Sequence, residues 1–292
     1  MAAFARVAHH GSFTRAAADL GVSPSAISQT VRGLESKLGI RLLNRTTRNV
    51  GLSEAGRRFL ERVGPALELI GEAFDDLGEL RDRPTGHLRV TLPRIPAATL
   101  LAPLLGKFTR AYPDVLLELT INDELTDLVA RGFDAGIRLG ERLAQDMVAV
   151  RISRPQRLAV IGSPEYLRNR PAPHTPTELH AHACLRFRYP TSGAIYRWEF
   201  ERDGQALEID IDGRFITNDI DMMVAAARQG LGLAAVFEDC VRAELASGTL
   251  VRVLEDWCAP FPGFFIYYPS RVRMPSKLRV FVDFLKQSLD DD

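Results

Sequence analysis

Ser25, Ser28, Gln29 and Arg32 follow one another at steps of three, one and three residues. A helix through them would gather all four on one face. Two hydroxyls, a carboxamide and a guanidinium are groups that hydrogen-bond base edges and phosphates in a DNA major groove. A merely solvated face would more often carry Glu and Lys, and here the first acid is Glu35. Arg32 alone also suits an ordinary polar surface; the Ser28–Gln29 pair suits it less. Arg45 and Arg48 lie further on, in a polar turn between two apolar runs. At the tip of a hairpin they would reach backbone phosphate or a narrow minor groove.

Other chemistry finds little support. The chain has no phosphate loop, no Gly-x-Ser-x-Gly elbow and no His-Glu-x-x-His. His180-x-His182 offers two ligands in a Pro-rich stretch, which makes a poor metal site and reads as a surface loop. Cys184, Cys240 and Cys258 are odd in number and widely spaced. They argue against a disulfide framework or structural zinc and fit a reducing cytoplasm; oxidant-sensing thiols are one reading, buried apolar thiols the commoner one. No metal, cofactor or enzymatic activity is expected.

The composition, 46% hydrophobic and 25% charged, excludes disorder over most of the 292 residues. No apolar run approaches the ~20 residues of a membrane span, so no membrane partner is expected. Met1 to His10 do not read as a signal peptide, which again points to the cytoplasm. Zero net charge hides an asymmetry. Residues 1–62 hold ten Arg and Lys against four acids, which leaves the remainder acidic by six. A polyanion partner for the first module alone follows.

The elements that must position these residues can be read from punctuation. Phe4, Val7 and Ala8 form a short apolar face that Gly11 stops. Ser12 or Thr14 caps a second helix with Ala16, Ala17 and Leu20 inward, and Gly21 ends it. Ser23 then Pro24 is an N-cap followed by proline at the first helical position. The helix after it should bury Ile27, Val31, Leu34 and Leu38 before Gly39. Two helices joined by a short Gly-containing turn make a helix-turn-helix. Ile40 to Leu43, a polar Arg-containing turn and Val50 to Leu52 read as strand, turn and strand, a wing. Ser53 caps the next helix.

The run Ser12 to Gly56, S-F-T-R-A-A-A-D-L-G-V-S-P-S-A-I-S-Q-T-V-R-G-L-E-S-K-L-G-I-R-L-L-N-R-T-T-R-N-V-G-L-S-E-A-G, resembles the LysR-type transcriptional regulators. The resemblance implies that Pro24, Ser25, Ser28 and Gln29 sit where the family reads its double-stranded operator.

From Ser53 the period changes. Leu60, Val63, Leu67, Ile70, Phe74 and Leu77 follow at spacings alternating three and four, a heptad seam. A helix over 53–82 would be ~45 Å long. Its expected partner is the same helix of a second subunit; packing on the chain's own C-terminal domain is the alternative. Gly64-Pro65 should kink or reset it, and Arg81 to Gly86 forms the hinge.

Residues 87–292 alternate strands and helices. His87–Leu92, a helix from Ala98 to Tyr112, Val115–Ile121, a helix from Glu124 to Arg131 and Ala135–Leu139 give βαβαβ, hence a parallel sheet. A second series starts near Leu158 and ends in an amphipathic helix from Pro275 to Leu289. Two α/β lobes with a crevice at strand C-termini form a ligand site. The strand ends name Thr91, Arg94, Ile95, Asn122, Arg138, Thr217, Asn218, Asp219 and Phe237. Arg94 and two helix N-termini favour a carboxylate-bearing effector; Asp123 and Asp219 oppose it unless both are helix caps. The resemblance implies an effector domain like a periplasmic binding protein, with strands near 158–163 and 262–268 crossing between lobes. It also implies dimers that pair through these domains into a tetramer.

The expected fold is α/β with an N-terminal winged helix-turn-helix at 1–58, a linker helix and hinge at 59–86, and a two-lobed effector domain at 87–292. Lobe one would take 87–161 and 268–292, and lobe two 162–265. The expected function is a sequence-specific DNA-binding regulator, a homodimer or homotetramer, controlled by a small molecule bound between the lobes. A solute-binding protein and a two-lobed enzyme compete with it. The basic module opposes the first, and the lack of any acid/base or nucleophile constellation opposes the second.

Overall fold

Caps and stop signals divide the N-terminal 60 residues as the punctuation demands. In the computed structural model, residues 1–45, 50–79, 84–124, 127–140, 147–269 and 274–290 are described. Helix α1 (Ala2–His10) is followed by α2 (Phe13–Asp19), capped by Ser12, and α3 (Pro24–Leu38), capped by Ser23. Gly39 ends α3 at φ 68°, a left-handed turn that a Cβ would penalise. Phe4, Val7, Ala16, Ala17, Ile27, Val31, Leu42 and Leu43 make the buried core. Leu20 and Leu38, expected inward, are 37% and 43% exposed. Both sit where a helix ends, beyond the small three-helix core.

The wing consists of β1 (Leu43–Arg45) and β2 (Val50–Leu52), antiparallel, with Leu43 opposite Leu52. The first strand begins three residues later than the sequence predicts. Glu35 accepts the Leu42 and Leu43 N–H groups at 2.9 and 3.1 Å, which holds the approach outside any ladder. Helix α4 (Glu54–Glu79) continues through Gly64-Pro65, where an interruption was expected. One missing donor does not end a helix whose neighbours keep theirs.

The chain divides into two compact units, Met1–Thr85 and Gly86–Asp292. The second opens with β3 (Gly86–Leu92), α5 (Arg94–Pro96), α6 (Leu105–Ala111), β4 (Val115–Ile121), α7 (Leu128–Arg131), β5 (Ala135–Leu139) and β6 (Met147–Arg151). Then come β7 (Leu158–Gly162), α8 (Pro164–Arg168), β8 (Leu185–Phe187), β9 (Trp198–Arg202), β10 (Gln205–Ile209), β11 (Phe215–Thr217), α9 (Ile220–Arg228) and β12 (Ala234–Phe237). α10 (Arg242–Ser247), β13 (Val251–Val253), β14 (Phe264–Pro269) and α11 (Ser276–Asp290) complete it.

Lobe one is a five-stranded sheet in the order β4-β3-β5-β14-β6, with β3 parallel to both its neighbours. Leu88, Val90 and Leu92 bury against Phe108, Phe281 and Leu285. Lobe two has β7 between β12 and β13, the parallel pair β8–β11 and the hairpin β9–β10. A bridge from Cys184 to Leu233 joins β8 to the β12 side. Trp198 is buried in its core.

Three expectations change. The helix predicted over 98–112 becomes a wide turn at Ala97–Leu101, a turn through Pro103 and then α6. The helix predicted from Glu124 is helical only at Leu128–Arg131 among the described residues. The crossings also move. Strand β7 pairs wholly with lobe-two strands and β14 wholly with lobe-one strands. The stretches between β6 and β7 and between β13 and β14 therefore cross, touching at the Gln156–Phe261 bridge. Lobe two thus starts near Leu158 and lobe one resumes at Phe264. The buried run Ala159–Gly162 reads as a lobe-two core strand, and a crossing would be wetter.

Candidate nucleic-acid interface and effector cleft

Helix α3 is held from both ends. At its start the Ser23 hydroxyl accepts the Ala26 N–H at 3.2 Å and lies 2.9 Å from the Ser25 hydroxyl. At its far end Glu35 ties down the wing approach. Ile27 and Val31 turn inward, so Pro24, Ser25, Gln29 and Arg32 are exposed and Ser28 is half-buried. Ser25, Ser28, Gln29 and Arg32 therefore form one stripe, with no acid in the first turn. Asp19 meets His10 at 3.1 Å and Arg6 at 3.4 Å, which pins α1 to α2 behind it.

Arg45 closes β1 opposite Val50. Arg48 lies outside the described residues. The wing base is stitched to α4, since Ser53 donates to the Arg41 carbonyl at 2.7 Å and accepts the Gly56 N–H at 2.9 Å. A Cβ at Gly56 would run into the Leu42 carbonyl oxygen, so only glycine lets the helix approach this closely.

Of the seam residues, Leu60 packs with Phe59 on the winged-helix core, so it is not wholly given to a partner. Val63 and Leu67 are half-buried, and Ile70 is 54% exposed. Phe74 and Leu77 fall in the last turns of α4.

In the second unit β3 has a parallel neighbour on each side, so chain direction diverges at its C-terminal end and leaves a crevice there. Arg94 emerges at this point. Its backbone N–H donates to Asp123 at 3.1 Å, and its exposed guanidinium Nε lies 3.8 Å from Asp219 of lobe two. Asp219 caps α9 by accepting the Met222 N–H at 2.9 Å, while Thr217 accepts the Asp219 N–H at 3.1 Å. Asp219 is thus a helix cap, whereas Asp123 tethers the Arg94 N–H from the loop after β4. Asn218 is exposed beside them, and Ile95 is half-buried against the lobe-one core.

Four expected crevice residues are engaged within the fold. Thr91 is fully buried, with no hydrogen-bond partner for its hydroxyl among the described residues. Arg138 is 4% exposed and donates to the carbonyls of Ile137, Asn122 and Glu124 at 2.8, 3.0 and 2.7 Å, stapling the loop after β4. Burial lowers its pKa, while Tyr267 and Asp123 act to raise it. Asn122 accepts the Glu124 N–H at 3.0 Å in that loop. Phe237 leaves lobe two to stack on Phe264 at 5.8 Å and meets Phe261 edge-on at 5.8 Å, so it fills the crossing region.

Sequence reasoning missed a ring of charges. Arg157 meets Glu238 at 2.7 Å and Glu255 at 3.3 Å, and Arg252 meets the same two acids at 2.8 Å each. Spread over nearly a hundred residues, it has no local signature. His182 is hydrogen-bonded through Nδ1 to the Tyr166 hydroxyl at 3.2 Å, and the described residues contain no metal-binding cluster. Burial pushes the Cys184 and Cys240 thiols up to about 12, which suits inert thiols.

A description of bacterial regulatory helix-turn-helix proteins of the lysR family matches residues 1–57, and one of the LysR substrate binding domain matches residues 81–290. The chain belongs to the LysR family. Its LysR relatives include the regulator YcaN of Escherichia coli, 42% identical over 98% of this chain and 93% of that one. PgrR of the same organism is 40% identical over 97% and 95%. The solved structure of CrgA, a LysR-type regulator from Neisseria meningitidis, superposes with a TM-score of 0.63 at 32% identity, covering 98% of this chain and 97% of that chain. As a LysR regulator the protein binds DNA through its first unit and a small-molecule effector through its second. It regulates transcription and is not an enzyme.

Proposed function

We propose that this regulator reads its operator in the major groove with Pro24, Ser25, Ser28, Gln29 and Arg32, while Arg45 and Arg48 meet backbone or minor groove beside it. The carrying observation is the exposed stripe on α3, free of acid in its first turn and rigidly capped. The regulator works in the cytoplasm as a dimer joined through α4 from Val63 to Leu77, and such dimers pair into tetramers. The exposure of Ile70 supports that seam.

The effector enters the crevice at Arg94, Ile95, Thr217, Asn218 and Asp219. Asn122 and Arg138 hold the loop after β4 beside it, while Thr91 is buried in the β3 core and Phe237 packs in the crossing region. The effector carries a carboxylate that displaces Asp219 from Arg94. A pair at 3.8 Å between an exposed Arg94 and a half-buried Asp219 contributes little, roughly 0–1 kcal/mol, and can be displaced. Selection of bound duplexes from a random pool, followed by anisotropy titration of the selected sequence against a scrambled one, tests the central reading. A discrimination of several orders of magnitude is expected; equal affinity for both sequences overturns operator reading.

A further inference from the structure

We infer that Arg41, with Arg32 and Asn44, forms a seat for a DNA backbone phosphodiester between the recognition helix and the base of the wing. The inference rests on the proposed DNA reading and adds to it a residue that belongs neither to the helix stripe nor to the wing tip.

An open recess of about 480 Å³ lies here, lined by Arg32, Glu35, Arg41, Leu43 and Asn44. Arg32 is the last member of the reading stripe, one turn beyond Gln29. A recognition helix works from its N-terminal end, so its C-terminal half stands at the lip of the groove, where phosphates run. Arg41 lines the same recess.

The backbone that carries Arg41 is fixed twice. Its own carbonyl accepts the Ser53 hydroxyl at 2.7 Å. The next two N–H groups go to the Glu35 carboxylate at 2.9 and 3.1 Å. Side chains from α3 and from the start of α4 thus clamp an exposed arginine from both sides. Among the described residues neither Arg32 nor Arg41 forms an ion pair. Burial of Leu43 gives the recess a rigid floor. Two arginines lining one open recess suit a phosphate oxygen pair, since guanidinium forks match phosphate geometry.

The test is fluorescence anisotropy with the full chain and a 30-base-pair mixed-sequence duplex, across a salt series. Arg41→Ala should bind roughly tenfold more weakly. Its plot of log affinity against log salt should be shallower by about 0.9, the loss of one phosphate contact. Arg41→Lys should keep the parent slope. A thermal-shift series with inorganic phosphate should give no Arg41-dependent stabilisation. Parent affinity and slope in Arg41→Ala overturn the seat and leave DNA binding intact. Weaker binding with an unchanged slope overturns it too, because the loss then comes from the fold. Phosphate stabilisation that requires Arg41, without any change in DNA binding, replaces duplex with free anion and overturns the inference. A parent chain that binds no duplex fails at the reading beneath, and the inference falls with it.

Discussion

The guanidinium Nε of Arg94 stands 3.8 Å from the carboxylate of Asp219, and this pair links the strand-end loops of the two lobes. It places an acid where an anionic effector would want to be. Asp219→Asn keeps an acceptor for the Met222 N–H but removes the competing charge. The variant should bind an organic-acid effector severalfold more tightly, while Arg94→Ala should lose the ligand-induced thermal shift. Without effector, Arg94→Ala should change stability by less than about 1 kcal/mol. Weaker binding in Asp219→Asn would make Asp219 a ligand contact and end the competition argument.

Gln29 is exposed in the middle of the α3 stripe. Gln29→Ala should cost about 1–3 kcal/mol on the selected operator and almost nothing on a scrambled duplex. Parallel losses on both, read by anisotropy, would reassign Gln29 to phosphate.

Gly56 faces the Leu42 carbonyl with no room for a Cβ. Gly56→Ala must push α4 away from the wing approach, and overpacking of this kind costs about 1–3 kcal/mol. Urea unfolding followed by DNA-binding competence should show the first unit weakened and the second unchanged. An unaltered midpoint would mean that α4 shifts freely.

The Arg157 hydrogen bond holds the Glu238 carboxyl below its ordinary value, and Arg252 adds to the effect. A carboxyl depressed in the folded state contributes stability above its unfolded pKa, and that contribution fades as pH falls through the folded value. Thermal stability should therefore fall as pH drops below the ordinary carboxylate value of about 4.3, less steeply in Glu238→Gln. At neutral pH this variant should be weaker by about 1 kcal/mol or less. Identical pH profiles by calorimetry would remove the ring from the stability account.

Ile70 is exposed on α4, so Ile70→Asp leaves the fold of the chain intact. In a paired seam the same change buries an unpaired carboxylate, which is strongly unfavourable. Light scattering should show the parent assembly dissociating, and footprints should shrink to weak half-sites. Parent mass with a full footprint would mean that α4 is not the dimer contact.

How much was legible depended on the range of the forces involved. Residues 12–56 were readable because caps, stops and a 3.6-residue period act within one or two turns: Ser23, Pro24, Gly39 and the Ile27–Val31 core all follow from neighbours in sequence. The long helix α4 and the alternation of strands with helices were readable for the same reason. What tertiary structure decided involves partners far apart in the chain. Arg138 looked like a crevice residue from its place at a strand end, yet burial leaves its guanidinium bound to loop carbonyls. Phe237 looked like a ligand contact and instead stacks on Phe264, 27 residues away. Lobe boundaries moved because strand pairing, which no local pattern encodes, assigns β7 and β14 to opposite sheets. Leu60 packs on its own winged-helix core for a related reason: periodicity tells which residues share a helix face, and only packing tells what covers that face.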